Sequence, residues 1–167
     1  MAVFTGTHGL ANGLDALLDV AKELKLRGNE QVKIVLIGQG KLKAQLQDRA
    51  EKEQLTNVIF HDLVNKTRLS GLMDSADIGL QILANIPAFY YGTSPNKFFD
   101  YIASGLPVLN NYPGWLGSMI EEAKCGFSVP PEPASGTPVF APQPLSPYLR
   151  SYCFALQYLF LGSEIFG

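Results

Sequence analysis

Cysteine is almost absent from this chain. Its 167 residues hold two, Cys125 and Cys153. They match no metal-binding or redox spacing, which points to a reduced, cytoplasmic setting. Basic charge is not in excess either. Thirteen Lys and Arg stand against fifteen Asp and Glu, a net charge of −2. No basic stripe marks a nucleic-acid protein, and no such partner is expected. The longest apolar run, around YCFALQYLFLG near the C-terminus, is too short to cross a bilayer as a helix. No N-terminal signal segment and no internal repeat is visible. Neither the Gly-x-Gly-x-x-Gly dinucleotide fingerprint nor a P-loop occurs.

What is present is a compact domain's composition: 47% hydrophobic and 17% charged residues, with enough length for one sizeable core. Strand and helix signals alternate up to about residue 130. AVFTG reads as a short strand. Over residues 13–27, Leu14, Leu17, Leu18, Ala21 and Leu24 share a helical face, and Gly28 stops it. VKIVLIG is a near-continuous apolar run, the mark of a strand covered on both sides. Residues 41–53 make a charged helix with Leu42, Leu46 and Ala50 on its apolar side. NVIF is a strand, Asn65 caps a helix through Leu69, Leu72 and Met73, and DIGLQIL is a strand. Next comes a helix opening on SPNK, with Ser94 at its cap and Pro95 at its first position, where a missing N–H costs nothing. Gly105 and Pro107 end it. PVLN, a helix from Trp115 to about Ala123, and GFSV complete the series. This order predicts an α/β fold, a Rossmann-like doubly wound parallel sheet. Residues 1–131 are expected to form that domain. Residues 132–167 read as a proline-rich linker and an apolar tail. Phe154, Leu156, Tyr158, Leu159, Phe160 and Leu161 are apolar enough to predict that the tail self-associates or covers exposed surface.

Ligands of such sheets bind outside the carboxyl ends of the strands, so the loops after strands carry the candidates. TGTHGLANG, residues 5–13, brings Gly6, Thr7, His8 and Gly9 to the start of the first helix, where backbone can approach an anion. His8 is a candidate donor to a phosphate or a sugar hydroxyl; as a turn histidine it can equally take solvent partners. Gly38 and Gly40 in IGQGK make a second close-approach turn, or an ordinary tight connection. In FHDLVNK the exposed backbone around Leu63 and Val64 is a candidate reader of a base edge, or a plain loop. The fourth place is GTSPNKFFDY. Asn96, Lys97, Asp100 and Ser104 share one face, with Phe98, Phe99, Ile102 and Ala103 expected to turn toward the sheet. That polar face is either solvated or a site, with an anion on Lys97 and the helix start and ribose hydroxyls on Asp100.

FTGTHGLANGLDALLDVA, VLIGQGKLKAQL, NVIFHDLVNK, MDSADIGLQIL and GTSPNKFFDYIASGLPVL, in this order and spacing, resemble the C-terminal, donor-binding half of a two-domain GT-B glycosyltransferase of group 1 (GT4). The nearest likeness is to bacterial enzymes of polysaccharide and O-antigen assembly. The resemblance implies a nucleotide-diphosphate sugar as partner, such as a UDP-sugar, and sugar transfer with retention. It implies no bound metal, and no cofactor is expected. It makes Lys97 the catalytic cation on the departing diphosphate. Thr93, Ser94, Pro95 and Asn96 would lie along the donor, and Asp100 takes the place of a ribose-binding glutamate. The family's other glutamate falls on Gly92, and its loop cations fall on Thr7 and Asn12. The resemblance also implies that an N-terminal acceptor domain, often membrane-associated, is missing, so that the chain alone is inactive. From about Glu132 the tail departs from the family's C-terminal helices, as in a truncated or frameshifted gene. A nucleotide-sugar epimerase fragment and a non-catalytic interaction module remain alternatives.

Overall fold

The computed structural model describes residues 1–29, 31–90 and 96–129. Six strands form one wholly parallel sheet: β1 (Ala2–Thr5), β2 (Ile34–Ile37), β3 (Val58–His61), β4 (Ile78–Gln81), β5 (Val108–Asn110) and β6 (Gly126–Ser128). Their spatial order is β3-β2-β1-β4-β5-β6. The chain therefore winds outward from β1 to β3, returns to the centre at β4, and winds out the other way. This is the doubly wound α/β order, with its switch point between β1 and β4.

The period-two pattern of each strand decides which helices cover which face. Ala2 and Phe4, Ile34 and Leu36, and Ile78 and Leu80 face one way. They pack against Leu17, Leu18, Ala21 and Leu24 of α1 (Asp15–Leu26) and Leu46 and Ala50 of α2 (Lys43–Lys52). Val3, Val35 and Ile37 face the other way. There they meet Met73 of α3 (Lys66–Asp74), Tyr90 of the one-turn α4 (Pro87–Tyr90), Phe98 and Tyr101 of α5 (Asn96–Ala103), and Leu116 and Ile120 of α6 (Trp115–Ala123). Each fully buried large side chain of these layers contributes about 1.5–3 kcal/mol. β3 alternates half-buried and exposed residues, as expected of an edge strand.

Local signals account for several boundaries. Asn65 accepts a hydrogen bond from the Arg68 N–H at 2.9 Å and caps α3. Between α1 and α2, Arg49 reaches Asp15, Asp19 and Glu53, a network that joins the two helices. Ser94, Pro95 and the tail from residue 132 lie outside the described residues, so the expected cap, the proline start and self-association of the tail fall there.

Candidate functional site

β1 and β4 part at their carboxyl ends. Their ladder pairs only Ala2 with Ile78 and Val3 with Gly79, although both strands continue. The Tyr101 hydroxyl stands in the gap. It accepts from the Thr5 N–H at 3.0 Å and donates to the Leu80 carbonyl at 3.3 Å. Tyr101 is fully buried, and burial pushes its phenol up, away from ionisation. Its ring lies where a side chain on Gly79 would be: a Cβ there would sit 2.4 Å from it. A phenol thus wedges the switch point open.

Among the described residues, the crevice above that wedge holds one ammonium. Lys97, in the first turn of α5, sends Nζ back over β1, 4.1 Å from the centre of the Phe4 ring. It donates to Asn12 Oδ1 at 3.1 Å. The Asn12 amide in turn donates to the Thr7 carbonyl at 2.7 Å. Gly6 (φ 144°) lies directly beside the ammonium, its Cβ position 3.4 Å from Nζ. Among the described residues Lys97 has no carboxylate partner, and burial pulls its pKa down to about 8. Gly6, Thr7, Asn12 and Lys97 therefore share one place at the carboxyl ends of the sheet, although Asn12 and Lys97 are eighty-five residues apart in the chain.

The structure corrects the expected faces of α5. Phe98 and Tyr101 are buried, but Phe99 is 46% and Ile102 38% exposed, and Ala103 is exposed as well. At 100° per residue, Lys97, Phe98, Tyr101 and Ser104 fall in one sector. That sector meets the sheet, so Lys97 lies on the inward side and not on a solvated stripe. Asn96 and Asp100 remain exposed. Ser104 turns back to the Asp100 carbonyl at 3.0 Å.

His8 is not a solvent-facing turn residue. Its ring is fully buried, between the rings of Phe4 and Phe60. Neither ring nitrogen has a hydrogen-bond partner among the described residues. Burial first, and the charge of Lys43 second, lower its pKa. The two glycines of the neighbouring turn explain how it is enclosed. A Cβ on Gly38 would sit 1.9 Å from the Gly6 carbonyl oxygen, and one on Gly40 2.3 Å from that of His8. The His8 N–H donates to Gln39, and the His8 carbonyl accepts from Leu42. Gly38 and Gly40 therefore admit the backbone of the 6–9 loop. Leu63 is 72% exposed, and Val64 packs partly on the α3–α6 face of the core. Thr93, Ser94 and Pro95 lie outside the described residues.

Sequence reasoning missed two groups. Lys43 is buried, and its ammonium bonds the Gly38 and His61 carbonyls and Asp62 Oδ1 at 2.9, 3.0 and 2.6 Å. This holds Asp62 below the usual carboxylate range. At the ends of β4 and β5, Asn111 clamps both backbone groups of Leu83, and Gln81 donates to the Tyr112 hydroxyl. The polar run Asn110-Asn111 ending a buried strand was the available signal. Among the described residues no His, Cys, Asp and Glu cluster could hold a metal ion, and no helix is long and apolar enough to cross a membrane.

Comparison with known proteins places this geometry in context. The family model for glycosyl transferases group 1 matches residues 1–137. No curated protein matches the sequence. Among solved structures, WaaG, a glycosyltransferase involved in lipopolysaccharide biosynthesis, aligns over 98% of this chain and 39% of its own, with a TM-score of 0.69 and 21% identity. The S. aureus TarM G117R mutant, in complex with fondaparinux, α-GlcNAc-glycerol and UDP, aligns over 98% of this chain and 29% of its own (TM-score 0.71, 15% identity). The C-terminal domain of LpcC, a group 1 family glycosyl transferase from Francisella tularensis, aligns over 98% of this chain and 77% of its own (TM-score 0.67, 15% identity). The chain thus spans 39% and 29% of the first two of these proteins.

Proposed function

Because the chain belongs to the group 1 glycosyl transferases, we propose that it is the domain that binds the nucleotide-sugar donor, with the diphosphate in the β1–β4 crevice. One observation carries the reading: the Lys97 ammonium stands beside Gly6 with no carboxylate among the described residues to neutralise it. A cation so placed is matched to an anion that arrives from outside. Backbone at Gly6, Thr7 and Gly9 can approach that anion closely. The α5 N-terminus adds the favourable end of its dipole.

In transfer the donor's sugar–oxygen bond breaks and the nucleoside diphosphate leaves as an anion. Lys97 and the helix start stabilise that charge as it develops, the preorganised electrostatic contribution available to this half of a cleft. Asp100, one turn further along α5, accepts from the ribose hydroxyls. Retention of configuration and a role in bacterial surface polysaccharide assembly belong to the same proposal, and the resemblance is their support. The likeness to LpcC's C-terminal domain and the UDP bound in TarM are consistent with donor binding. The acceptor's side of the cleft would be supplied by a second domain. The Gly38–Gly40 turn serves by holding the 6–9 loop, and Leu63 and Val64 border the nucleoside.

Calorimetry with uridine and guanosine diphosphates and the bare nucleosides tests this. Lys97→Ala is expected to weaken diphosphate binding by about 1.5–3 kcal/mol, ten- to a hundredfold, and to spare the nucleoside. Asp100→Asn is expected to weaken nucleoside and diphosphate alike. Two folded variants that bind like the wild type would overturn the residue roles. A folded wild type whose melting temperature responds to neither nucleotide would favour a non-catalytic interaction module.

A further inference from the structure

Among the described residues Lys97 has an anchor and no counter-ion. Other cations of the domain are paired: Arg49 with Asp15, Asp19 and Glu53, Lys43 with Asp62, and Arg27 with Glu23. Lys97 donates to the neutral carboxamide of Asn12. That carboxamide has a defined orientation, because its Nδ2 donates to the Thr7 carbonyl and so turns Oδ1 toward the ammonium. Phe4 faces Lys97 from β1, and Gly6 and Asn12 face it from the following loop. On its own helix the nearest ionisable groups are Asp100, which is exposed, and Tyr101, whose hydroxyl is taken by Thr5 and Leu80.

Resting on the donor-binding reading, we infer that Asn12 is a positioning residue. Its amide fixes the Lys97 ammonium at the head of the crevice and leaves the charge uncompensated, for the diphosphate to neutralise. An aspartate is nearly the same shape and would do the opposite. It would pair with Lys97, fill the anion's electrostatic place from within, and set a carboxylate oxygen against the Thr7 carbonyl. Burial keeps the free ammonium only weakly basic, so the anion's arrival also strengthens its hold on its proton.

Asn12→Asp and Asn12→Ala separate the two parts of this role. The first readout needs no ligand: 13C NMR of the lysine Cε resonance, assigned with Lys97→Arg. Lys97 is expected to titrate near 8 in the wild type, to stay low in Asn12→Ala, and to rise above about 10 in Asn12→Asp. The second is calorimetry at pH 7.5 with uridine and guanosine diphosphates and their nucleosides. Asn12→Asp is expected to weaken diphosphate binding about thirtyfold and Asn12→Ala about three- to tenfold, with nucleoside affinity unchanged in both. Should Asn12→Asp not fold, Asn12→Ala carries the test, and nucleoside and diphosphate weakened equally would overturn the inference. An Asn12→Asp protein whose Lys97 titrates as in the wild type, or whose diphosphate affinity is unchanged, overturns it as well. A wild type that binds neither nucleotide, with the Lys97 titration still raised in Asn12→Asp, removes the donor reading and leaves Asn12's control of the Lys97 charge standing.

Discussion

At the scale of single residues, burial has changed what two of them can do. A neutral imidazole keeps one N–H, and His8 has no acceptor for it among the described residues. An unmet buried donor costs about 1–3 kcal/mol, and a proton added beside Lys43 would cost more. The pKa of His8 in the fold lies below its ordinary 6.5, so the unfolded chain takes up this proton at a higher pH than the fold does. Its stabilising share is therefore complete above about pH 6.5 and is lost as pH falls through the folded value. His8→Leu, close in volume, is expected to melt within a few degrees of the wild type at pH 7 and to lose less stability between pH 7 and 5. Parallel pH profiles of melting temperature for the two proteins would show that His8 does not set the slope. Lys97 shows the same principle from the other side: an inward cation is made weakly basic by what surrounds it.

At the scale of elements, Tyr101 joins β1 to β4 where their own ladder stops. Tyr101→Phe keeps the ring and removes the bridge, leaving the Thr5 N–H and the Leu80 carbonyl without it. A loss of about 1–3 kcal/mol in urea unfolding is expected; a loss below about 0.5 kcal/mol would mean that the strands close the rung themselves. Neither the wedge nor its partner Gly79 was visible in the sequence, because a tyrosine in a helix and a glycine in a strand carry no sign that they touch. The elements themselves were legible. The apolar run of β2, the α1 stripe and the Asn65 cap are local signals, and Trp115–Ala123 forms a helix over the expected span. The inward side of α5 was misread because three apolar residues, Phe99, Ile102 and Ala103, outvoted the sector that contains Lys97. The enclosure of His8 depends on Gly38 and Gly40, thirty residues away, and no local pattern announces an approach of that kind. The candidate loops were legible as loops; their mutual contacts were not.

At the scale of the whole molecule, the doubly wound order gathers the loops after β1 and β4 at one crevice. The chain spans 39% of WaaG and 29% of TarM, and on the donor reading it forms one wall of a cleft. The isolated 167-residue chain is expected to bind nucleoside diphosphate and to transfer no sugar, measured as release of diphosphate from a UDP- or GDP-sugar with acceptor present. Turnover by the purified chain alone would refute this. The seating of Gly38 against the Gly6 carbonyl, and of Gly40 against His8, has a bearing on engineering. The 6–9 loop and the 38–40 turn interlock as one part, like a tongue in its groove. A chimera that imports the first loop from a relative while keeping this turn would force a misfit, whichever sugar the relative uses. On the donor reading, exchange of donor preference between such domains therefore has to move both segments as a single cassette.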